Sequence, residues 1–251
     1  MYIEKFNIKK SKPKIIIFSG AGISAPSGIS TFRDKDGLWE NHKIDEVCNE
    51  GTWKNNFKIV HDFYNERRNQ LENVEPNIAH KVVSDIIYKY GEDNVINITQ
   101  NVDNLFERAN VTNTLHVHGE LTKMQCENCG HQWNIGNKSF DIKKDKCPNC
   151  DSVKNVRPKI VFFGGSAPMY KYMSRAFEYA SLENSIVVVI GTMGNVVPID
   201  AYLKDKKAKK ILCNMEKSKY INEKNYDNVY YESITTVIDK IEKNIEKYWT
   251  N

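Results

Sequence analysis

The chain has 251 residues, 40% of them hydrophobic and 27% charged, which is typical of a folded globular protein and excludes a disordered or fibrous one. Thirty-six Lys and Arg against 32 Asp and Glu leave a formal net charge of +4, a surplus too small and too evenly spread to indicate specific nucleic-acid binding. The longest strongly apolar runs, such as 186–190, are far shorter than the ~20 residues of a membrane-spanning helix, so we expect no membrane span.

Short, apolar, β-branched runs recur along the chain, and each ends in Gly, Gln, Asn or His. The first, residues 15–18, leads into Ser19-Gly20-Ala21-Gly22, and helical spacing follows several of the later runs, as in 79–90 and 170–180. Continuous apolar strands that alternate with helices predict a parallel sheet covered on both faces, with ligands bound at the carboxyl ends of the strands. The later predicted strands are 95–99, 114–117, 159–163, 186–190 and 211–214.

Two stretches interrupt this alternation. Residues 39–76 are aromatic and charged with helical spacing, whereas residues 122–155 are polar and contain four cysteines. We interpret them as a helical module and a metal-binding module that together form a smaller inserted domain. The tail, 236–249, predicts an amphipathic helix with Val237, Ile241 and Ile245 on one face. The main α/β domain then comprises residues 1–38, 77–121 and 156–251.

The four clustered cysteines form two pairs, Cys126-x2-Cys129 and Cys147-x2-Cys150, separated by 17 residues. This spacing is typical of a tetrahedral zinc site, and four thiolates leave no open position, so the ion is expected to be structural. The alternative is four unrelated thiols. The lysine-containing start of the sequence has no apolar segment behind it, and paired CxxC motifs suit a reducing compartment, so we expect a cytoplasmic protein.

A glycine-rich turn follows the first strand. Gly20-Ala21-Gly22 matches the start of the GxGxxG pattern, and Ala25 fills the last position in its looser G/A form. Small residues allow backbone N–H groups to approach a pyrophosphate closely, which favours a dinucleotide site. Taken alone, the segment is equally compatible with an ordinary tight turn.

Taken with the motifs that follow, the chain resembles a sirtuin, an NAD-dependent protein-lysine deacylase. The resemblance runs from about Lys14 to about Glu216 and implies a Rossmann-like domain plus a small zinc domain, with NAD and an acyl-lysine protein or peptide in the cleft between them. The motifs are GAGISAPSGISTFRDKDGLW (20–39), TQNVDNL (99–105), HVHGEL (116–121), the cysteine pairs, RPKIVFFG (157–164) and IGTMGNV (190–196).

The resemblance assigns an NAD site. Phe32 would lie near the nicotinamide pocket, with core packing as the alternative, and Arg33 offers a cationic fork for phosphate or ribose oxygens. Asp103 would hold the nicotinamide carboxamide; taken alone it could equally start a helix, but the motif around it favours the functional role. The remaining cofactor-binding residues implied are Gly20, Ala21, Gly22 and Ser24 around the pyrophosphate, Gln100, Asn101 and Val102 near the ribose, and Gly191, Thr192, Met193, Asn214, Met215 and Glu216 on the adenosine side.

The catalytic residues implied are His118, Asn101 and Asp103. A general base that works near neutral pH is most often histidine. In sirtuins the matching histidine deprotonates a ribose hydroxyl after the acyl oxygen has attacked the anomeric carbon. His116 would share a strand face with His118, so strand alternation alone does not choose between them, whereas the following Gly119-Glu120 of the motif favours His118.

The acyl-lysine substrate is expected on residues 157–164. Peptides would add to this strand by backbone pairing, and Val161, Phe162, Phe163 and Gly164 would line the acyl-lysine tunnel, unless the strand is plain sheet core. Tyr64 and Arg67, at i and i+3, resemble the Tyr-x-x-Arg pair of desuccinylase-type sirtuins. A guanidinium fork and a phenol would recognise the distal carboxylate of succinyl- or malonyl-lysine. The alternative is a solvated helix with the aromatic ring on its core side and Arg67 and Arg68 in water.

Three positions depart from the family pattern. Ser30 replaces a common proline, Met193 replaces a common serine, and Gly165 stands where many members have glutamate. The expected function is NAD-dependent removal of acidic acyl groups, and of acetyl, from lysine by a monomer. The alternatives are a mono-ADP-ribosyltransferase or NADase, which needs neither Tyr64 nor Arg67, and a non-catalytic module that binds NAD or ADP-ribose.

Overall fold

The structure is a computed structural model that describes residues 12–30, 38–39 and 42–249. Its strands are β1 (Ile15–Ser19), β2 (Leu38–Trp39), β3 (His42–Lys43), β4 (Val95–Thr99), β5 (Thr114–His116), β6 (Gly119–Cys126), β7 (Gln132–Asn134), β8 (Val156–Ile160), β9 (Ile186–Ile190), β10 (Lys209–Asn214) and β11 (Asn228–Tyr231). Its α-helices are α1 (Ile44–Val47), α2 (Phe57–Glu72), α3 (Ile78–Tyr90), α4 (Leu105–Arg108), α5 (Tyr170–Glu178), α6 (Ile199–Leu203) and α7 (Ile234–Tyr248).

A parallel sheet of order β11-β10-β9-β1-β4-β5 forms the main layer. The central strand β1 is fully buried because helices cover both faces of the sheet. Ile15 and Ile17 pack with α3 and α7 on one face, while Ile16 and Phe18 pack with α5 and α6 on the other. This two-sided burial explains why the strand is apolar without alternation, and it confirms the α/β, Rossmann-like prediction.

Helix α7 closes one face of the sheet as the sequence predicts. Val237, Ile241 and Ile245 are fully buried or nearly so, in the same cluster as α3 and the strands. Burial of a branched aliphatic side chain contributes about 1.5–3 kcal/mol. The apolar face of α7 therefore fixes this helix on the sheet.

The predicted parallel strand at 159–163 is wrong. The observed strand is β8, which ends at Ile160 and pairs antiparallel with β6 in a separate sheet of order β7-β6-β8. The run is apolar because Phe162 packs with Trp53 and Tyr64 of the helical module, not because it lies inside the main sheet. The sixth parallel strand is β11, whose half-buried residues gave no continuous apolar signal.

Helix α2 contacts both the four-cysteine segment and the small antiparallel sheet. The Asn65 side chain donates to the Phe140 carbonyl at 3.0 Å and accepts from the Phe140 N–H at 2.8 Å. His61 stacks on Phe140, with 4.9 Å between ring centroids, and its Nε2 lies 3.0 Å from the Val156 carbonyl. Helix α2 and the cysteine segment are therefore held together, while the predicted domain boundaries stay a prediction.

Within the described ranges, none of the helices combines the length and the apolar character that crossing a membrane requires.

Candidate active site and metal centre

The glycine turn after β1 lies against the glycine that follows β9. The Gly20 N–H donates to the Ile190 carbonyl, and the Gly22 N–H to the Gly191 carbonyl, both at 2.9 Å. A Cβ atom on Gly22 would lie 2.5 Å from the Gly191 Cα, and one on Gly191, whose φ is +62°, would lie 2.5 Å from the Gly22 Cα. Both positions therefore require glycine, so the turn is a close backbone contact between two strand ends.

The ends of β4, β9 and β10 are tied together beside this turn. Gln100 Nε2 donates to Thr192 Oγ1 at 2.9 Å. The Thr192 N–H donates to Asn214 Oδ1 at 3.0 Å, and Asn214 Nδ2 returns a bond to the Thr192 carbonyl at 2.9 Å. Met193 and Met215 are exposed at the rim. The predicted adenosine-side residues thus lie at one edge of the sheet, as the carboxyl ends of parallel strands require.

A buried polar network connects the glycine turn to the segment after β4. Ser24 Oγ donates to Asp103 Oδ2 at 3.0 Å and accepts from Asn101 Nδ2 at 3.0 Å. Asp103 Oδ1 accepts from the N–H of Leu105, the first residue of α4, so both carboxylate oxygens have hydrogen-bond partners. Burial raises the pKa of Asp103, and the Leu105 and Ser24 hydrogen bonds counter that rise. His80 lies behind Ser24, with 3.5 Å between Nε2 and Oγ.

The two neighbouring histidines have different hydrogen-bond partners. His116 faces two acceptors, the Asn101 carbonyl at Nδ1 and the Glu107 carboxylate at Nε2, each at 2.9 Å. Burial opposes its charge, but Glu107, the Asn101 carbonyl and Glu120 together outweigh burial and raise the pKa of His116. His118 faces one carbonyl, that of Gln100 at 3.0 Å from Nδ1, and burial lowers its pKa. His118 therefore stays neutral with an acceptor nitrogen at Nε2, whereas His116 needs both of its protons.

The predicted acyl-recognition pair is buried on α2. The Tyr64 ring stacks on Phe162, with 5.9 Å between centroids, and burial raises the pKa of its phenol. The Arg67 guanidinium lies 4.8 Å from the Phe63 ring centroid, and its Nη2 is 2.9 Å from Glu66. The alternative of a helix with Arg67 and Arg68 in water is therefore wrong, because both arginines are buried, whereas the buried Tyr64 ring agrees with either interpretation.

The other predicted substrate residues differ in exposure. Phe162 is buried, Val161 is half-buried, and Phe163 and Gly164 are exposed. The backbone of Phe163 pairs with the helical module, since its N–H donates to the Cys48 carbonyl and its carbonyl accepts from Glu50. The predicted cofactor residues Phe32 and Arg33 lie outside the described residues.

Gly165, which departs from the family pattern, has a structural reason. A Cβ atom there would lie 2.8 Å from Glu50 Oε2. The same Glu50 oxygen accepts from Arg157 Nη1 at 2.8 Å, and Arg157 is 7% exposed. The carboxylate of Glu50 therefore fills space beside the loop that a side chain at 165 would need.

The four clustered cysteines form a compact metal centre. The Sγ atoms of Cys126 and Cys150, and of Cys129 and Cys147, lie 3.6 Å apart, and all four lie within 4.8 Å of one another. Zinc–sulfur bonds of about 2.3 Å in a tetrahedron place sulfurs about 3.8 Å apart, so the cluster fits one zinc ion. All four cysteines are free thiols. An ion here closes the loops at both ends of the cysteine segment.

Comparison with known proteins decides the family. A sequence profile described as "Sir2 family" matches residues 20–198. The chain belongs to the Sir2 family. A Helicobacter hepaticus protein named NAD-dependent protein deacylase is 42% identical, and the match covers 94% of this chain and 99% of that protein. An Escherichia coli K12 protein of the same name is 35% identical, and the match covers 94% of this chain and 83% of that protein.

Solved Sir2 structures share the fold over most of the chain. A Sir2 homologue in complex with ADP-ribose is 28% identical, with a TM-score of 0.79 and coverage of 96% of this chain and 94% of that one. A Sir2 homologue in complex with NAD has a TM-score of 0.77 at 28% identity, with coverage of 97% and 93%. The contact between Gly22 and Gly191 fits such a ligand, because it leaves backbone rather than side chains at the strand ends.

Sequence reasoning missed three side chains of this Sir2 site. His80 lies on α3, for which the sequence predicts only a helix over 79–90, and Glu50 lies in the predicted helical module without a motif of its own. Tyr170, whose hydroxyl lies 2.8 Å from His118 Nε2, is predicted from the sequence only as the first residue of a helix. None of the three stands in a motif, so long-range contacts alone bring them to the site.

The glycine contact gives a first prediction. We expect Gly191→Ala to lower NAD affinity by more than tenfold and to lower the unfolding temperature, because its Cβ atom would strike the Gly22 backbone. Calorimetric titration with NAD and thermal unfolding measure both. The matched control is Gly136→Ala, where φ is +60° but nothing lies within 4 Å, so only the left-handed strain of about 1–2 kcal/mol remains. Equal losses in the two variants would exclude the close contact as the cause.

Proposed function

We propose that this Sir2 protein is an NAD-dependent protein-lysine deacylase that removes succinyl and malonyl groups, and also acetyl, from lysine. The products are nicotinamide, free lysine and 2′-O-acyl-ADP-ribose. The observation that carries the reaction is the neutral His118, held beside the glycine turn with an acceptor nitrogen. The deacylase names of the relatives support the same reaction class.

The chain's own residues divide the reaction between them. NAD supplies an anomeric carbon that becomes electrophilic as nicotinamide leaves. Gly20 and Gly22 leave room for the pyrophosphate, and the Asn101–Ser24–Asp103 network presents fixed polar groups to the nicotinamide ribose. His118 accepts the ribose hydroxyl proton at Nε2. The Gln100 carbonyl fixes the tautomer that this step needs.

Acidic acyl specificity is assigned to α2. A distal carboxylate would meet the Arg67 guanidinium and the Tyr64 phenol at the buried end of the tunnel, with Phe162 as its apolar wall. A phenol offers one O–H donor to such a carboxylate. A charge-assisted hydrogen bond contributes about 1.5–3 kcal/mol, which corresponds to about 10- to 150-fold in selectivity.

The decisive variant is Arg67→Met. We expect it to raise KM for a succinyl-lysine peptide by about 10- to 100-fold and to change KM for the matched acetyl peptide by less than about threefold, because methionine keeps the contact with the Phe63 ring but not the charge. Initial rates with and without NAD measure both. The control is Arg108→Met, which removes a guanidinium that pairs with Glu75 outside the tunnel.

The outcomes separate the alternative functions. Equal loss on both peptides in Arg67→Met would contradict carboxylate recognition. NAD consumption by the wild type without deacylation would favour a mono-ADP-ribosyltransferase or NADase, and NAD binding without turnover would favour a non-catalytic binding module. A cytoplasmic monomer that binds no specific nucleic acid stays part of the proposal, testable by sedimentation and fractionation.

A further inference from the structure

The base nitrogen of His118 already has a partner in the structure. Tyr170, the first residue of α5, places its hydroxyl 2.8 Å from His118 Nε2, with 5.8 Å between the ring centroids. Tyr170 begins the helix that follows β8 along the chain, so it belongs neither to the glycine turn nor to the 99–105 segment. Nothing in the proposed reaction uses this hydroxyl.

The direction of this hydrogen bond follows from the proton inventory. The Gln100 carbonyl can only accept, so Nδ1 of His118 carries the ring proton and Nε2 of the neutral ring is an acceptor. Tyr170 therefore donates to Nε2. Burial and the nearby Tyr202 raise the pKa of Tyr170, so the phenol keeps the proton that it donates.

This bond engages the lone pair that deacylation requires. We propose that the Tyr170 hydroxyl caps the base nitrogen of His118 until a ribose hydroxyl of NAD takes its place, which makes Tyr170 a positioning residue. The inference rests on the role proposed for His118. Both hydroxyls are neutral donors to the same lone pair, so the exchange forms and breaks no covalent bond and changes no charge.

The cap has consequences for the unliganded protein that differ from those for the NAD complex. A donor to Nε2 stabilises the neutral ring, so the cap lowers the pKa of His118 only while no NAD is bound. Burial also lowers the pKa of His118, whereas the hydrogen bond with the Gln100 carbonyl raises it. The neighbouring charged groups are His116 and Glu107. They contact each other, and His116 also contacts the Asn101 carbonyl, so these hydrogen bonds are not with His118.

The test is Tyr170→Phe in the full chain, with Tyr172→Phe as the control hydroxyl on the same helix. We expect KM for NAD to fall by about two- to tenfold in Tyr170→Phe, because no hydrogen bond must be exchanged. The pH profile of kcat/KM reports the free enzyme, and its acid limb should move to higher pH in Tyr170→Phe. The pH profile of kcat reports the enzyme–substrate complex, and its acid limb should stay at the same pH. Tyr172→Phe should match the wild type.

Two measurements need no turnover. The His118 ring, titrated by NMR in the free protein, should show a higher pKa in Tyr170→Phe, and calorimetry should show tighter NAD binding. If these hold while the wild type does not deacylate, the cap stands and the proposed function fails. A lower kcat with an unmoved acid limb, or no change in either measurement, would overturn the cap.

Discussion

His118→Asn is expected to lower NAD-dependent deacylation by about 10²- to 10⁴-fold, the usual contribution of a positioned general base. Asparagine can still donate to the Gln100 carbonyl, which His118 Nδ1 contacts at 3.0 Å, but it has no nitrogen that can accept a proton near neutral pH. The loss should appear in kcat, because the proposed proton transfer follows substrate binding. Initial rates on a succinyl-lysine peptide measure it.

A second readout separates the base from a structural role. In the proposed reaction His118 acts after nicotinamide has left, so exchange of labelled nicotinamide into NAD should persist in His118→Asn while deacylation is lost. The control is His131→Asn, which removes a ring that stacks on Trp133 in the cysteine segment. Joint loss of exchange and deacylation, with unchanged NAD affinity, would assign His118 an earlier step.

The pH dependence has a defined sign. Burial lowers the pKa of His118, so the neutral base is present at neutral pH and activity should fall only as the solution becomes more acidic than the usual histidine range. His61 and His80 are also buried, with pKa values lowered to about 4. The unfolded chain binds protons at these two histidines more readily than the folded chain does. The stability that the two neutral histidines contribute is therefore fully present above about pH 6.5 and falls as the pH drops towards 4.

The parallel sheet was predictable from sequence because its central strands are buried on both faces. β9 consists of five branched aliphatic residues and β1 begins with three isoleucines followed by Phe18, so their class and approximate bounds follow from these apolar runs. β11 was missed because its residues are only half-buried, and residues 159–163 were misplaced because a second cluster, around Trp53 and Tyr64, buries the same residue types. Hydrophobic runs indicate burial, but they do not say which cluster buries them.

The candidate site was predictable where it lies in contiguous motifs. The segments around Gly20, Asn101, His118 and Gly191 each carry their own signal, and the topology brings them to one sheet edge. The choice between His116 and His118 depended on the motif in the sequence, whereas in the structure it depends on partners, since Glu107 holds the proton of His116. Glu50 and Tyr170 reach the site only through long-range packing, which leaves no local pattern.

Removal of zinc should have the largest effect on stability. Structural zinc bound by four cysteines contributes about 10–16 kcal/mol of binding free energy, and the segment that it orders has a small core of Met124, Phe140 and Val156 beside the thiols. We expect chelation to abolish hydrogen-exchange protection of β6, β7 and β8 while β1 and β9 stay protected. Thermal unfolding should begin at a lower temperature, and added Zn²⁺ should restore it.

The effect should extend to the acyl pocket because α2 is attached to the cysteine segment. Asn65 makes two hydrogen bonds with Phe140, and it lies on α2 between Tyr64 and Arg67. Loss of the ion should therefore raise KM for succinyl-lysine peptides before it affects NAD affinity, because the proposed NAD site lies at the ends of β1 and β9. Cys147→Ser should reproduce both changes, whereas Cys213→Ser, in β10, should retain one zinc per chain by metal analysis. An unchanged unfolding temperature after verified removal of the metal would exclude a structural ion. An unchanged KM for succinyl-lysine peptides would show that the ion does not act on the acyl pocket through α2.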